Sequence, residues 1–262
     1  MSLIVYFRHK ITEHRYLNVP YPLFPIMTDL GKYDFLIGKD TQNQPVVRNL
    51  TKLPHVLLAG TTGAGKSVAL NSMIGSIVDG TSPRDLRIII MDPKQVDLVC
   101  WEGLPHVDSV LTEPYEMDHR VESFVNIMMR RYNHMRVNKM RSWPGPKWLL
   151  VLDEYASLLR ECHSIGENVS ALASKARAAG IHVWLTTQNP TAKTLGSDLK
   201  ANMPGRLAFR VPAFQTSRVI LDESGAEKLL GRGDGLFKDS SGMVRVQAPL
   251  FQDSDVTRLK GK

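Results

Sequence analysis

Short apolar runs alternate with longer amphipathic ones along this chain, and the two periods mark two kinds of element. His55–Ala59, Leu86–Met91, Trp148–Leu152, Ile181–Thr187 and Arg206–Val211 are brief runs dominated by Val, Ile and Leu. Runs this short and this apolar predict strands buried on both faces. Helical stretches lie between them. One reaches from Lys66 to about Val78. A second covers residues 115–141, where Val121, Phe124, Val125, Met128, Tyr132 and Met135 recur at spacings of three and four and make one apolar stripe, ended by Trp143-Pro144-Gly145-Pro146. A third covers Ala171–Ala179 and stops at Gly180, which tolerates the positive φ of a helix end. Strands separated by helices predict an α/β fold with a mainly parallel sheet flanked by helices.

Two hairpins frame this core. Tyr33–Ile37 and Pro45–Val47 read as weak strands around Gly38-Lys39-Asp40, and Leu236–Lys238 and Met243–Gln247 flank Asp239-Ser240-Ser241-Gly242. The chain divides accordingly into an N-terminal arm with a small β extension, residues 1–48, and a main domain, residues 49–262. Prolines at 20, 22 and 25 punctuate the arm.

The chemistry gathers where the apolar runs end. After His55–Ala59 comes Gly60-Thr61-Thr62-Gly63-Ala64-Gly65-Lys66-Ser67, which fits G-x-x-x-x-G-K-[ST] at every fixed position, with Val68 following. The glycines let the backbone curl so that successive N–H groups point at phosphate oxygens, and the helix beginning at Lys66 adds its positive end. Lys66 is placed to reach the β- and γ-phosphates and Ser67 to ligate Mg²⁺. ATP with Mg²⁺ is the cofactor expected. The run Trp148–Leu152 delivers Asp153 and Glu154, two carboxylates at the end of a buried strand, where open α/β sheets bind ligands. Asp153 suits the Mg²⁺ site, and Glu154 suits a general base that activates the attacking water. Leu185-Thr186-Thr187-Gln188 closes the next strand with an amide, so Gln188 is expected to sense the γ-phosphate or the attacking water.

Composition narrows the class and the setting. Of 262 residues, 43% are hydrophobic and 23% charged, as in a soluble globular protein, and the formal net charge is +7. A moderate basic excess favours nucleic acid or acidic surfaces as partners. Cys100 and Cys162 form no C-x-x-C pair, which argues against a disulfide framework or a zinc ribbon. The eight histidines have no metal-ligand spacing. The apolar start, Ser2 to Phe7, is too short to span a bilayer and has no positive region before it, so a cytoplasmic location is expected.

The ordered motifs together resemble the motor domain of the FtsK/SpoIIIE family of DNA translocases, within the FtsK-HerA superfamily of RecA-like P-loop ATPases. Pro54–Ala59 runs into the P-loop. Met91-Asp92-Pro93-Lys94, Glu102-Gly103-Leu104-Pro105-His106 and Arg130-Arg131-Tyr132 follow. Then come Lys175–His182, Thr187-Gln188, Leu199–Pro204, Ser217–Asp222 and Gly225–Gly235, so that the likeness covers about residues 36 to 250. The resemblance implies a ring-shaped hexamer that encircles double-stranded DNA and hydrolyses ATP at subunit interfaces. It also implies an arginine supplied by the neighbouring subunit, for which Arg177 matches best and Arg206 is the second candidate.

Some residues depart from the family's pattern. The loop after the fifth strand often carries a lysine for the pore; here that place falls near Phe214, flanked by Arg210 and Arg218, and Asn189 stands where an arginine is usual. Two loops, Asn189–Asp198 and Val211–Ser217, are expected to face the pore. The DNA contacts expected from them are Lys193, Arg210, Phe214 and Arg218. The basic residues Arg130, Arg131, Arg136, Lys139 and Arg141 on the long helix read rather as a solvated or subunit-facing surface. Two other functions compete with a duplex-DNA pump: a protein-secretion ATPase of the same superfamily, and a nucleotide-gated DNA-binding scaffold. A single intact site counts against the first, and the presence of Glu154 against the second.

Overall fold

In the computed structural model, residues 29–188 and 190–261 are described; the arm up to residue 28 and Asn189 lie outside them. The strands are β1 (Asp34–Asp40), β2 (Pro45–Asn49), β3 (His55–Ala59), β4 (Leu86–Met91), β5 (Val107–Leu111), β6 (Lys147–Leu152), β7 (Ile181–Thr187), β8 (Gly205–Phe209), β9 (Asp234–Asp239) and β10 (Gly242–Gln247). They form one ten-stranded sheet in the order β2-β1-β10-β9-β8-β3-β7-β6-β4-β5. From β8 to β5 every neighbouring pair is parallel, and from β8 to β2 every pair is antiparallel.

The helices are α1 (Lys66–Asp79), α2 (Pro114–Val137), α3 (Tyr155–Glu161), α4 (Ile165–Lys175), α5 (Ala192–Leu195), α6 (Ser197–Ala201), α7 (Phe214–Leu221) and α8 (Asp253–Lys260). Alternation along the strands assigns each residue to one of two cores. Val56, Leu58, Ile88, Ile90, Leu149, Val151 and Trp184 face α1 and α8 on one side of the sheet. Leu57, Ala59, Ile89, Met91, Leu150, Leu152, Val183 and Leu185 face α2, α3, α4 and α7 on the other. The near-continuous apolar strands are thus explained by burial on both faces.

The β1–β2 hairpin is continuous with the rest of the sheet. β1 pairs with β10 through Lys39↔Gln247 and Asp40↔Val246, and the Leu36 amide donates to Ser76 Oγ of α1 at 2.9 Å. The β extension expected near the N-terminus is therefore an edge of the main sheet.

Several local expectations are corrected. The helix expected over Ala171–Ala179 is α4, Ile165–Lys175, and residues 176–180 form a turn in which Gly180 N donates to Arg177 O at 3.0 Å and Ile181 N to Ala176 O at 3.1 Å. The alanine-rich composition carried the helical pattern past the true end. Val211–Ser217 is not one loop, because α7 begins at Phe214. Residues 189–198 likewise include α5 and the first residues of α6. Arg131 is buried rather than solvated: its Nη1 donates to Ala179 O at 2.7 Å and its guanidinium lies over the Trp143 ring at 4.6 Å.

Candidate nucleotide site

The ends of β3, β6 and β7 meet in space because those strands are adjacent in the sheet. β3 leads into the P-loop, which turns through Gly63 and Gly65 at φ of +76 and +102. At Gly65 a side chain is excluded twice over. The positive φ disfavours one, and a Cβ there would lie 2.2 Å from Gly233 N. Gly60 is similarly required, since a Cβ would sit 2.7 Å from Phe209 Cβ. The loop is tied to the neighbouring strand by Thr61, whose amide and hydroxyl both donate to Arg210 O, at 3.0 and 3.1 Å.

Lys66 is 3% exposed, and its Nζ lies 2.8 Å from Asp153 Oδ1. It also donates to Thr186 Oγ1 at 2.7 Å, and the Thr186 hydroxyl in turn donates to Asp153 Oδ1. Burial pushes the Asp153 carboxyl up; the Lys66 charge, the hydrogen bonds from Lys66 and Thr186 and the charge on Lys94 together outweigh it and hold the group below its ordinary range. The other oxygen, Asp153 Oδ2, is buried without a hydrogen-bond partner among the described residues. A buried carboxylate oxygen needs a partner, and a water or a cation meets that need.

Glu154 follows at φ +48, a left-handed conformation that costs a residue with a side chain about 1–2 kcal/mol. Such strain persists where the surrounding structure enforces it, often at functional positions. Its amide donates to Thr186 Oγ1 at 3.3 Å, Lys94 Nζ lies 3.0 Å from Oε2, and Gln188 N donates to Oε1 at 3.3 Å. Gln188 reaches back to the P-loop, accepting from the Thr62 hydroxyl at 3.0 Å. Ser67 Oγ donates to Asp97 Oδ2 at 2.8 Å. Asp97 stands in the loop after β4, which Asp92 shapes by accepting from the amides of Lys94, Val96 and Leu98 at 3.0–3.1 Å.

Lys66, Ser67, Asp153, Glu154 and Gln188 are thus brought together as the sequence predicts. Lys94, Asp97 and Thr186 join them, and none of the three had been assigned a role. Thr186 and Lys94 stand in the strand-end runs Leu185–Gln188 and Met91–Lys94, which carry the signal; Asp97 has none beyond its place after a strand end. Thr61, Thr62, Gly63, Gly65, Lys66, Ser67 and Val68 line one side of a cavity of about 510 Å³. Its other walls are Asp97, Gln188, Arg232, Gly233, Ala248, Pro249 and Leu250. Mg²⁺ fits the donors present, since the open Asp153 Oδ2 and the Ser67 hydroxyl are the hard oxygens it prefers.

The remaining expected residues lie apart from this cluster. Arg177 is exposed in the turn after α4, its Nε donating to Thr51 O at 3.3 Å. Arg206 is engaged internally: Nη1 meets Asp222 Oδ2 at 2.5 Å, Nη2 donates to Lys200 O at 2.8 Å and Nε to Met203 O at 3.1 Å. Lys193 is exposed on α5. Phe214 and Arg218 are exposed one turn apart on α7, with the guanidinium 5.5 Å from the ring centroid. Arg210 lines a second cavity with Thr61, Thr62, Gly63 and Ala64, on the flank of the P-loop.

A P-loop between a parallel strand and a helix, with Asp153 and Glu154 at the end of β6, defines an α/β P-loop ATPase fold. Within that class the chain belongs to the FtsK/SpoIIIE family, whose model matches residues 25–147. It is 37% identical over 245 residues to a DNA translocase FtsK of Clostridium acetobutylicum, covering 87% of this chain and 32% of that protein. A DNA translocase FtsK of Mycobacterium leprae is 36% identical over 247 residues, covering 84% and 29%. The chain spans about a third of the length of these relatives. Among solved structures, the fold is shared with the pCW3 conjugation coupling protein TcpA in a monomer form with ATPgS, at TM-score 0.79 and 23% identity over 92% of this chain and 74% of that one. The type VII secretion ATPase EccC of Thermomonospora curvata gives TM-score 0.79 and 24% identity, over 92% and 32%. No helix among the described residues is long and apolar enough to cross a membrane.

Proposed function

We propose that this chain is an ATP-driven motor that moves along double-stranded DNA as a ring-shaped oligomer, with ATP hydrolysed at its subunit interfaces. The observation that carries the reading is the linked set Lys66–Asp153–Thr186 and Glu154–Gln188–Thr62, which connects phosphate grip, water activation and a strand end in one hydrogen-bonded chain. Lys66 is held by Asp153 and Thr186, so its ammonium is ready-oriented for β- and γ-phosphate oxygens. Asp153 and Ser67 hold Mg²⁺, which when bound neutralises charge on the phosphate oxygens. Glu154 orients the attacking water and takes its proton, while its backbone is fixed by Thr186. Gln188 touches both Glu154 and the P-loop, so a change at the γ-phosphate passes to the segment after β7. The names of the relatives supply the polymer, DNA, and the resemblance of the motifs supplies its duplex form. Arg177, exposed and outside the cluster with a single bond of 3.3 Å to Thr51 O, is the better placed to enter a neighbour's site, whereas Arg206 is committed to Asp222 of its own subunit.

The test is ATP hydrolysis with duplex DNA, with single-stranded DNA and with no polymer. Strong stimulation by duplex alone is expected; equal rates in all three would remove the DNA motor and leave the secretion reading standing. Mixing Arg177→Ala with Glu154→Gln subunits reports on the ring. Each is inactive alone, and partial recovery in the mixture requires shared sites.

A further inference from the structure

The segment Gly231-Arg232-Gly233 passes through three successive positive φ angles, +84, +52 and +89. Glycine adopts such a backbone freely; arginine is strained in it. The turn is fastened to the P-loop on one side and to the sheet on the other. Gly233 N donates to Ala64 O at 2.8 Å, Gln247 Nε2 donates to Arg232 O at 3.0 Å, and Ala248 N donates to Gly233 O at 2.8 Å. At Gly233 the φ of +89 disfavours a side chain, and a Cβ would push on Gln247 Nε2 at 2.8 Å. Position 232 is held just as firmly, yet it carries a long cation where glycine would relieve the backbone. That side chain is exposed and has no hydrogen-bond or ion-pair partner among the described residues.

What Arg232 does adjoin is the nucleotide cavity, which it lines together with Ala248, Pro249 and Leu250. Those three supply an apolar stretch of its lining, beside the Gly231–Gly233 turn. A purine needs an apolar floor and a planar, weakly hydrated partner for its face, and a guanidinium is such a partner. We propose that Arg232 grips the base of a purine nucleoside triphosphate by stacking its guanidinium on the ring against Ala248–Leu250. The strained turn holds the residue at the cavity before nucleotide arrives. The inference rests on the reading of this cavity as the nucleotide site.

The experiment is calorimetric titration of ATP into the parent protein, Arg232→Gly and Arg232→Lys, with tripolyphosphate as a base-free competitor. Arg232→Gly suits the backbone, so its melting temperature should be no lower than the parent's. Its affinity for ATP should nevertheless fall about tenfold, with tripolyphosphate binding unchanged. Arg232→Lys keeps the charge but loses the plane, and should resemble Arg232→Gly in ATP affinity. If both ligands weaken equally in Arg232→Gly and Arg232→Lys restores them, the residue serves phosphate charge and the stacking role is overturned. If the parent binds ATP and Arg232→Gly binds it equally well, the assignment of Arg232 fails while the nucleotide site stands. A parent that binds no ATP overturns both.

Discussion

Two ion pairs are buried in the same sheet, and they are built to opposite specifications. In Arg245–Asp234, on β10 and β9, the side chains are 8% and 2% exposed, and Arg245 Nε and Nη2 meet the two carboxylate oxygens at 2.9 and 2.7 Å. Asp234 Oδ2 accepts also from Leu230 N at 2.8 Å, so both oxygens are used. In Lys66–Asp153 the exposures are 3% and 1%, but all the bonds fall on Oδ1 and Oδ2 is left open. A bidentate guanidinium has one good geometry and locks the pair. A lysine is a point charge on a flexible stem and can exchange its partner. The antiparallel half of the sheet has a closed pair, which fixes the Gly231–Gly233 turn beside the P-loop. The parallel half has an open one, which is where a ligand with its own charges can be admitted.

Exchanging the acids should separate the two designs, and the largest effect falls on activity. Asp153→Asn is expected to lower ATP hydrolysis by at least about a hundredfold, because the metal and the lysine both lose their anion. Lys66→Ala should lose nucleotide binding outright, and Glu154→Gln should bind ATP with Mg²⁺ yet stall before hydrolysis. Asp234→Ala should instead leave hydrolysis per folded molecule near normal at saturating ATP. Steady-state rates on purified folded protein check this; normal hydrolysis by Asp153→Asn would erase the contrast.

Stability should show the reverse order. Asp234→Ala leaves the Arg245 guanidinium buried without its carboxylate, a loss of about 3–5 kcal/mol that denaturant unfolding would register. Asp153→Asn retains a carbonyl oxygen to accept from Lys66 and Thr186, and should cost clearly less. A larger loss at Asp153 than at Asp234 would mean that the open pair is the structural one.

Titration extends the comparison to the far end of the same strands. His55 at the start of β3 and His182 in β7 are buried; burial, then the Arg177 charge, lowers His55 to about 3, and burial, then His55, lowers His182 well below its ordinary value. The unfolded chain protonates these rings below the ordinary 6.5 while the folded protein does not. Stability is therefore full above pH 6.5 and falls as pH drops below it, by about 1.4 kcal/mol per pH unit for each ring. Asp153, held low, adds its own loss only below the ordinary carboxylate range, about pH 4. Unfolding measured between pH 7 and 5 should thus slope steeply, and His182→Leu should roughly halve that slope. An unchanged slope in His182→Leu would move the acid sensitivity elsewhere.

The residues of the open pair are legible in the sequence, though not their pairing, and those of the closed pair are not. Lys66 belongs to a motif with fixed spacing, and Asp153 and Glu154 end an unbroken apolar strand, so local pattern located them. Arg245 and Asp234 lie eleven residues apart on paired strands, and only the register Val246↔Gly235 and Arg245↔Leu236 brings them together. Thr186 was hidden for a similar reason: in sequence it is one more polar residue at a strand end, and it matters because β7 neighbours β6. β5 was missed because Val107-Asp108-Ser109-Val110-Leu111 is an edge strand, half covered and therefore mixed in polarity. α7 was missed because Pro212 reads as a loop, whereas Ala213 is extended and the helix begins at the next residue.

The smallest expected effect concerns DNA, and it asks whether the open end of the sheet also faces the polymer. Lys193 follows Gln188 by five residues and is exposed on α5. Arg210 directly follows β8, and its carbonyl is the acceptor for both Thr61 bonds, so it is anchored to the P-loop itself. Arg210 thus adjoins the P-loop, and Lys193 stands on the segment that follows Gln188. Contacts with phosphate carry no sequence information, which a motor that traverses any sequence requires. Removing Lys193 and Arg210 together should weaken duplex binding about equally across sequences. It should also flatten the log–log salt dependence by about 0.9 for each lost contact. Duplex-stimulated hydrolysis should drop while the basal rate stays. Single variants divide the two residues. If Arg210→Ala raises the ATP concentration needed for half-maximal hydrolysis and leaves the salt slope alone, Arg210 serves the nucleotide across the cavity it shares with Thr61–Ala64, and the duplex contact is left to the α5 side.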